Sequence, residues 1–541
     1  MQLKRFWIKT SLVFSLVFLL GFSSYRNDFF EIAKQIEIFT NLFKEVNMNY
    51  VDEVNPGELM NTAMVAMLKD LDPYTQFYNE QDVQNARINQ SGRSSGIGAS
   101  IIRRENEVII IDLQKEGAGD TAGLQLGDRI TTIDGIAVEN LNQDIFSLLQ
   151  GAPNSTLKLK VLRDGATKEF NIKRQSEQEK TVPYYQLLED QTGYIVLTKF
   201  GRTASKEVEY ALKDLKDQGA TKIILDLRNN PGGLLGEAVN VSNLFIPKDV
   251  LITYTQSAIE KYNAQYITRN RPVDTEIPLA VLINERSASA SEIVSGSIQD
   301  LDRGVVIGAR SFGKGLVQRP KNLNYGTSAK ITISRYYTPS GRCIQALNYQ
   351  KGEAIRNEEN TYNEFTTRNG RSVFDGGGIQ PDIEVAASKT ESIAKALYEE
   401  GLIFDYATQY FRKNNIDNLN DFSWSSKDWQ DFEKFVNKQD FNFETPTEKA
   451  INELVEIATE EGNPSIESEV KKLKKLVEKE KDQLLSNYQL QIERMLVDEI
   501  IRHYFYKEGV FEYATLHANE VKEAQKILSD AISYKELLGF N

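Results

Sequence analysis

Residues 277–318 constrain the fold more than any other stretch of the chain. They predict a strand over Leu279–Ile283, a serine-rich turn, a helix from about Ser289, a second strand over residues 305–307, and then a glycine-flanked lysine, Lys314. Strands that alternate with helices form βα units, and such units build largely parallel sheets. The segment therefore predicts an α/β fold with a serine cluster at a helix N-terminus.

The same alternation of strands and helices extends over residues 177–388, which we predict to be one domain. The predicted elements are strand 194–200, helix 205–218, strand 223–227, a helix beginning near Leu234 and strand 329–337. Because the later strands need not be parallel, we expect a mixed sheet. A turn rich in asparagine and glycine follows the second strand at residues 228–233. Loops in this position are where the sites of α/β proteins collect.

Short β-rich runs punctuated by glycine occupy residues 93–176 and predict a small independent domain. Its turn Gly96-Ile97-Gly98-Ala99 leads into an apolar strand and resembles the carboxylate-binding loop of PDZ domains, as do the later GLQLGD and IDG segments. Glycines free backbone N–H groups to hold a peptide's terminal carboxylate, while the strand edge accepts the peptide as an extra strand. The alternative is a glycine turn without a ligand. A dinucleotide site is disfavoured because no Gly-x-Gly-x-x-Gly opens a helix.

The N-terminal segment, residues 1–25, predicts export. A basic stretch with Lys4, Arg5 and Lys9 precedes an uncharged run at residues 10–25, which is the pattern of a signal peptide. The run is shorter than the roughly 20 residues of a spanning helix. Cleavage as a signal peptide and retention as a signal anchor both stay open. We expect a location in the periplasm or cell envelope, with or without a tether to the inner membrane.

Helical patterns flank the two predicted domains. Residues 26–92 and 389–541 carry apolar side chains at helical spacing, and the TPTE segment at residues 445–448 predicts a capped helix start. The C-terminal helical region is either a packed domain or a surface for a homo-oligomer or an adaptor. A polar insertion around residues 348–375 has no assigned role.

Composition excludes several classes of function. The net charge of −13 argues against binding nucleic acid, whose phosphates need a basic surface. Cys343 is the single cysteine, which excludes an intrachain disulfide framework and a cysteine-rich metal site. The two histidines, His503 and His517, lie far from the serine cluster in sequence. A Ser-His-Asp triad is therefore disfavoured, and we expect no metal or other cofactor.

The serine cluster at residues 287–291 has two interpretations. Residues 289–292 fit a capping box, which needs no catalytic role. Alternatively, one serine is a nucleophile and Lys314 is its base, which requires burial to lower the pKa of the lysine. Gln318 can orient that amine, and backbone N–H groups of the asparagine-rich turn and of the helix start can bind an oxyanion. Spacing alone does not decide which serine acts.

Five motifs in combination resemble those of the carboxyl-terminal processing peptidases, the tail-specific serine proteases with an embedded PDZ domain. They are SASASEI, FGKGLVQ, DLRNNPGG, YYTPSGR and GIQPDIEV. The resemblance implies that Ser289 is the nucleophile and Lys314 the general base. It also implies that Gln318 orients the lysine, and that Gly232 and Ala290 are the oxyanion donors.

The same resemblance implies an α/β protease core with an inserted PDZ-like domain and helical regions on both sides. It implies an exported endopeptidase that hydrolyses peptide bonds through an acyl-enzyme, on protein or peptide substrates with free apolar C-termini. The alternative is a catalytically silent, peptide-binding scaffold of the cell envelope. The GAGDTAGL segment lacks a proline that many such PDZ domains carry, and the C-terminal helical region lies outside the resemblance.

Overall fold

The structure is a computed structural model that describes residues 29–84, 94–140, 145–177, 180–350, 353–356, 362–385, 392–439, 441, 443–462, 464–481 and 483–540. It divides into two compact units, residues 1–77 with 350–353 and residues 78–349 with 354–541. The predicted signal segment, residues 1–25, lies outside the described residues. None of the described helices combines the length and the apolar composition that a membrane span requires.

The described part of the first unit contains two helices, α1 at residues 29–49 and α2 at Pro56–Lys69. The side-chain oxygen of Asn55 caps α2 because it accepts from the N–H groups of Gly57 and Glu58 at 3.0 and 3.3 Å. Pro56 stands at the first helical position, where an N–H has no partner inside the helix. Helices therefore occupy residues 29–49 and 56–69 of the predicted helical N-terminal region, residues 26–92, although the strand Gln76–Tyr78 also lies within it.

The second unit begins with a helical turn at residues 80–84 (α3), after the short strand β1 (Gln76–Tyr78). A β-rich domain follows. Its elements are β2 (Ser94–Gly96), β3 (Ala99–Arg104), β4 (Glu107–Leu113), α4 (Ala118–Thr121), β5 (Arg129–Ile133), β6 (Ile136–Ala137), α5 (Ile145–Leu149), β7 (Thr156–Arg163), β8 (Ala166–Lys173) and β9 (Gln175–Glu177).

These strands form an antiparallel sheet in the order β3-β4-β5-β7-β8, with β6 beside β5 and a separate β2–β9 pair. Alternation along β7 buries Leu157, Leu159 and Val161 on one face, as a two-residue period requires. A buried ion pair at 2.6 Å joins Arg163 to Asp128 beneath that face. The predicted small β-domain is confirmed.

The predicted α/β domain alternates strands and helices. Its elements are β10 (Tyr184–Leu187), β11 (Thr192–Val196), α6 (Ala204–Asp217), β12 (Lys222–Asp226), α7 (Leu235–Phe245), β13 (Leu251–Gln256), β14 (Ala264–Ile267), β15 (Leu279–Ile283), α8 (Ala290–Asp300), β16 (Val305–Gly308), β17 (Leu316–Asn322), β18 (Ser328–Tyr337), β19 (Leu347–Gln350), β20 (Glu353–Arg356), β21 (Glu364–Thr366), β22 (Ser372–Phe374) and β23 (Ile383–Glu384).

A six-stranded sheet in the order β10-β11-β12-β15-β16-β23 lies at the centre of this domain. The β10–β11 pair is antiparallel and the other pairs are parallel, which confirms the predicted mixed sheet. Leu225 and Val281 pack among the buried residues of α6, α7 and α8 on one face. Ile224 and Leu282 point to the other face. Antiparallel pairing joins β13 to β14 and β18, and β17 to β18.

Helices make up the C-terminal region, as predicted. They are α9 (Ser392–Glu399), α10 (Leu402–Lys413), α11 (Ser426–Val436), α12 (Pro446–Glu460), α13 (Pro464–Lys481), α14 (Leu484–Asn487), α15 (Gln489–His517), α16 (Asn519–Ser529) and α17 (Ala531–Leu537). The capping box at the start of α12 is confirmed, because Thr445 and Glu448 each accept from the other's N–H, at 3.1 and 2.7 Å. Val521 and Ala524 of α16 cover the second face of the central six-stranded sheet.

Candidate active site

Three neighbouring parallel strands direct their carboxyl ends to the same edge of the central six-stranded sheet. β12 leads into the turn at residues 228–233, β15 leads into the serine cluster, and β16 leads into the loop that carries Lys314. Loops that follow adjacent parallel strands meet at one edge, which is where α/β proteins place their sites. The topology therefore brings together three segments that are far apart in sequence.

The three serines of the cluster have different environments. Ser287 and Ser291 are fully buried, and their hydroxyls donate to the carbonyls of Leu227 at 2.8 Å and of Asn230 at 2.9 Å. These bonds fasten the serine turn to the turn after β12. Ser289 is only half-buried, and it has a φ of 55°, a strained value for a residue with a side chain. Among the three, Ser289 is the only serine that is not fully buried, so it is the one that a substrate can reach.

Glu292 is fully buried and accepts four hydrogen bonds from two segments. Its Oε1 accepts from the Ser311 hydroxyl and the Gly313 N–H, both at 2.6 Å. Its Oε2 accepts from the N–H groups of Ser289 at 2.7 Å and of Lys314 at 2.9 Å. Burial raises the pKa of Glu292 to about 7, although the four donors favour the charged form. One carboxylate oxygen thus joins the backbone of Ser289 to that of Lys314.

Tyr336 on β18 makes a second connection between the same two residues. Its hydroxyl lies 3.1 Å from the Ser289 carbonyl oxygen and 2.5 Å from the Lys314 carbonyl oxygen. A hydroxyl has a single proton, so it donates to one of these carbonyls at a time. The side chain is buried, and this limits its rotation. Glu292 therefore holds the N–H groups, and Tyr336 the carbonyls, of the two candidate catalytic residues.

Gly232 lies directly against the start of α8. Its φ of 100° favours glycine, and a Cβ there would lie 2.7 Å from the Ala288 carbonyl oxygen and 2.9 Å from the Ala290 nitrogen. The Ala290 N–H donates to no acceptor in the described part of the chain. The Gly232 N–H, in contrast, donates to the side-chain oxygen of buried Asn230 at 2.9 Å. The two predicted oxyanion residues are adjacent, but one of their donors is engaged.

Gln318 and Lys314 lie at the start of the β17–β18 hairpin. The side-chain amide of Gln318 donates to the Thr332 hydroxyl on the paired strand at 3.3 Å. Lys314 is half-buried. The preceding Gly313 has a φ of 86°, and a Cβ there would lie 2.3 Å from the Cβ of Ala346. Glycine beside the lysine is thus required by close packing, as the sequence suggested.

Sequence reasoning missed three side chains that organise this edge. Glu292 was visible only as the end of a capping box, and Tyr336 only as a letter of the YYTPSGR motif. Arg228, at the start of the asparagine-rich turn, pairs with Asp226 at 2.6 Å and with Glu520 of α16 at 3.0 Å. No local signal predicts the contact with Glu520, because the two residues are 292 positions apart. Through this ion pair, the C-terminal helical region helps to hold the turn that carries Gly232 in place.

In the loop at residues 96–99, backbone carbonyls accept hydrogen bonds, while two backbone N–H groups have no acceptor among the described residues. The Ile97 and Gly98 carbonyl oxygens accept from the N–H groups of Gly119 and Gln114, both at 2.7 Å. The N–H groups of Ile97 and Gly98 donate to nothing within the described ranges. Among the strands that the structure describes, β3 pairs only with β4, so its other edge is unpaired. A loop of spare amides beside an unpaired strand is what a peptide's C-terminus requires.

Three family models match successive parts of the chain. The PDZ domain model matches residues 95–173, and the peptidase family S41 model matches residues 191–355, which include the edge described above. A third model, "Probable PDZ-protease, C-terminal helical domain", matches residues 393–528. The C-terminal helical region thus has counterparts in other PDZ proteases.

Several proteins are similar to this chain over most of its length. A "Carboxyl-terminal-processing protease" from Synechocystis sp. is 32% identical over 394 residues, which cover 67% of this chain and 90% of that protein. A "Probable CtpA-like serine protease" from Staphylococcus haemolyticus is 29% identical over 385 residues, 71% of each chain.

Among solved structures, the photosystem II D1 C-terminal processing protease is 25% identical to this chain. The match covers 64% of this chain and 92% of that protein, with a TM-score of 0.36. The sequence similarity favours a protease over a silent scaffold. On the 32% identity to the Synechocystis protein along 90% of its length, the chain belongs to the carboxyl-terminal-processing proteases, serine proteases of family S41 with a PDZ domain.

Proposed function

We propose that this protein is an exported endopeptidase that binds the C-terminal tails of its substrates through the PDZ domain and cleaves them with Ser289 as nucleophile and Lys314 as base. One observation carries the proposal. A single carboxylate, Glu292, and a single hydroxyl, Tyr336, join the Ser289 backbone to the Lys314 backbone. A nucleophile and its base must lie within hydrogen-bond reach, and these two connections keep their backbones together.

In the first step, the Ser289 hydroxyl oxygen attacks the carbonyl carbon of the scissile peptide bond while its proton passes to the neutral amine of Lys314. The carbon–nitrogen bond then breaks, and Lys314 returns the proton to the leaving amine. This leaves the acyl group as an ester on Ser289. In the second step, water attacks the ester with Lys314 as base, the bond to Ser289 breaks, and the serine regains its proton.

The negative charge of each tetrahedral intermediate falls on the former carbonyl oxygen. The Ala290 N–H, at the first position of α8, has no acceptor among the described residues and is favoured for this purpose by the helix dipole. The Gly232 N–H is the second donor that we propose. It becomes available when it leaves the Asn230 side chain, or it shares its hydrogen between that side chain and the oxyanion. Gln318 is proposed to orient the Lys314 amine from β17.

The loop at residues 96–99 is proposed to bind the free carboxylate of the tail, with the rest of the tail added to the unpaired edge of β3. Amidating the C-terminus of an unfolded substrate should therefore raise KM by about 10- to 100-fold, because hydrogen bonds to a charged group contribute about 1.5–3 kcal/mol. The value of kcat should change little, because the reacting bond is elsewhere.

Steady-state cleavage of paired substrates measures this effect. Acetylating the N-terminus is the control, because it removes a charge at the other end of the chain and should leave KM unchanged. Equal KM values for the free and the amidated substrate would show that the carboxylate is not recognised.

Export is proposed because a basic stretch precedes the uncharged run at residues 10–25. Residues 1–30 fused to an alkaline phosphatase that folds only where disulfides form should give active enzyme. A Leu19→Arg change in the fusion should abolish that activity, because it interrupts the apolar run. An inactive wild-type fusion, or equal activity in both, would contradict export through this segment.

A further inference from the structure

The unpaired edge of β3 does not face open solvent along its whole length. A cavity of about 1030 Å³ lies against it, and residues from three parts of the chain line this cavity. The PDZ domain contributes the loop at residues 96–99 and Phe146 of α5, while the C-terminal helical region contributes Tyr398 of α9 and Phe511 of α15. We name this space the tail cavity. Its volume is at the upper end of the roughly 300–1,000 Å³ typical of ligand sites.

The helical region is attached to the PDZ domain at both ends of β3. At the far end, Arg104 pairs with Asp405 of α10 at 2.9 Å, and its guanidinium lies over the Phe404 ring. At the near end, Lys507 of α15 pairs with Asp112, which lies next to Ser100 in the β3–β4 register. These contacts place the helical region alongside the strand edge that a peptide would join.

Two further contacts fix the helical region against the β-domain itself. Phe404 is 9% exposed and belongs to the buried core of the PDZ domain, although it lies on α10. The Tyr506 hydroxyl donates to Asp120 at 2.5 Å, and its backbone has a φ of 60° and a ψ of −164°, a conformation that a residue with a side chain rarely adopts. Packing and hydrogen bonding at Tyr506 offset that strain. The C-terminal helices that line the tail cavity are therefore packed firmly against the core of the PDZ domain.

We propose that the C-terminal helical region forms the second wall of the tail-binding site, so that α9 and α15 contact the substrate tail together with the PDZ domain. This inference rests on the proposed function, because it assumes that a tail joins β3 with its carboxylate at residues 96–99. Six residues of β3 can pair with a tail of about 20 Å, at 3.3–3.4 Å per residue. Such a tail would run from the loop along β3 to Arg104, the residue that pairs with Asp405 in the first turn of α10.

The helical wall carries charged side chains, such as Lys395 and Arg502, as well as aromatic ones, and the aromatic side chains of both walls indicate the occupant. Phe146 is 45% exposed and Tyr398 is 60% exposed, and both line the tail cavity. Large aromatic surface is costly to leave in water and gains most from contact with another apolar group. The spare amides at residues 96–99 take the carboxylate, and the aromatic side chains take the apolar residues that precede it. The occupant is therefore an extended chain with a free carboxylate and apolar side chains near its end.

The tail cavity also reaches the protease core. Asn229 and Arg286 line it, and they stand beside the turn that carries Gly232 and the turn that carries Ser289. The Asn229 N–H and side chain bond to Asn284 at 2.9 and 3.0 Å, which fixes these two turns relative to each other. One continuous space thus joins the tail-binding loop to the rim of the candidate active site.

The test measures binding of a dye-labelled ten-residue peptide that ends in two valines with a free carboxylate. The full chain with Ser289→Ala is used, so that the peptide is not cleaved. Tyr398→Ala should weaken binding by at least about fivefold, the effect of losing an aromatic contact worth about 1 kcal/mol or more. Because most of the Tyr398 side chain is exposed, the change should leave the fold intact. Phe146→Ala, on the opposite wall, should weaken binding similarly.

Tyr210→Ala is the matched control, because Tyr210 is 66% exposed, lies on α6 and does not line the tail cavity. It should bind the peptide as the parent does. If Tyr398→Ala binds like Tyr210→Ala while amidation and Phe146→Ala both weaken binding, the helical wall has no part in recognition and the PDZ domain acts alone. If, in contrast, amidating the peptide's C-terminus leaves binding unchanged, the proposed recognition of the tail is wrong, and this inference is overturned with it.

Discussion

Changing Ser289 to alanine is expected to lower kcat/KM for an unfolded substrate with a free apolar C-terminus by at least about 10³-fold, since either member of a nucleophile and base pair is needed for most of the rate. Lys314→Ala should lose a similar factor. Because both side chains act in one proton transfer, the double variant should lose no more than either single variant. Single-turnover cleavage measures the chemistry, and tail binding followed in parallel should stay unchanged.

The neighbouring serines are matched controls for this experiment. Ser287→Ala and Ser291→Ala each remove a buried hydrogen bond to a backbone carbonyl. Each should lower the free energy of unfolding by about 1–3 kcal/mol but keep most of the cleavage activity. Wild-type cleavage by Ser289→Ala would show that Ser289 is not the nucleophile. A folded Ser291→Ala variant without activity would show that the wrong serine had been assigned.

The layout of this edge could be predicted because each of its parts is a local feature. Apolar runs specify the strands Leu279–Ile283 and Val305–Gly308, and small residues specify the turn between the first strand and α8. The βα order then requires parallel neighbours whose carboxyl ends meet. Ser289, Lys314 and Gly232 each follow one of three adjacent strands, so their approximate proximity follows from topology.

The contacts that join these parts could not be predicted, because they depend on tertiary packing. Residues 289–292 do act locally as a cap, since the Ser289 N–H donates to Glu292. The three other donors to Glu292 come from residues 311–314, after a different strand. The hydrogen bond from Gly232 to Asn230 is also invisible in sequence, although it occupies one of the proposed oxyanion donors.

The C-terminal helical region shows a second limit of sequence reasoning. Its periodicity correctly predicts helices, but an apolar position on a helix does not reveal which partner covers it. Phe404 completes the core of the PDZ domain, and Val521 covers the protease sheet. The C-terminal helical region, whose role the sequence leaves open, is therefore packed against both other domains. It also supplies Glu520 to the turn beside the candidate active site.

Glu292→Gln is expected to lower kcat/KM by about 10- to 100-fold while the protein stays folded. An amide has one acceptor oxygen in place of two, but four donors surround this side chain. The amide can be oriented in two ways. If its oxygen accepts from Ser289 and Lys314, its NH₂ group faces Ser311, whose hydroxyl can turn and accept, and Gly313, whose N–H then has no acceptor. The opposite orientation would leave two N–H groups without an acceptor, so the first is favoured. Leaving the Gly313 N–H without an acceptor destabilises the arrangement that holds Ser289 beside Lys314 by about 1–3 kcal/mol relative to less ordered arrangements of the same folded protein. A smaller population of the ordered arrangement lowers the rate, by about tenfold for each 1.4 kcal/mol.

The pH dependence should identify the cause of that loss. Burial raises the pKa of Glu292 from its ordinary 4.5 to about 7, so the folded protein binds this proton more tightly than the unfolded chain does. The free energy of unfolding therefore falls as the pH rises from about 4.5 to about 7, and the contribution is constant above that. Activity should change in the opposite direction, because only the charged carboxylate accepts from all four donors.

Under the proposed mechanism, wild-type cleavage below neutral pH requires the loss of a proton from both Glu292 and Lys314, whereas Glu292→Gln requires only the lysine to lose one. The acid limb of kcat/KM should therefore be steeper in the wild type than in the variant. Glu207→Gln is the matched control, since Glu207 accepts from the N–H groups of Thr181 and Val182 at 2.7 and 2.9 Å and takes no part in the hydrogen bonds that join Ser289 to Lys314. It should lower stability and leave the shape of the pH profile unchanged. Profiles of equal slope in the wild type and in Glu292→Gln would show that the charge of Glu292 does not organise the active site.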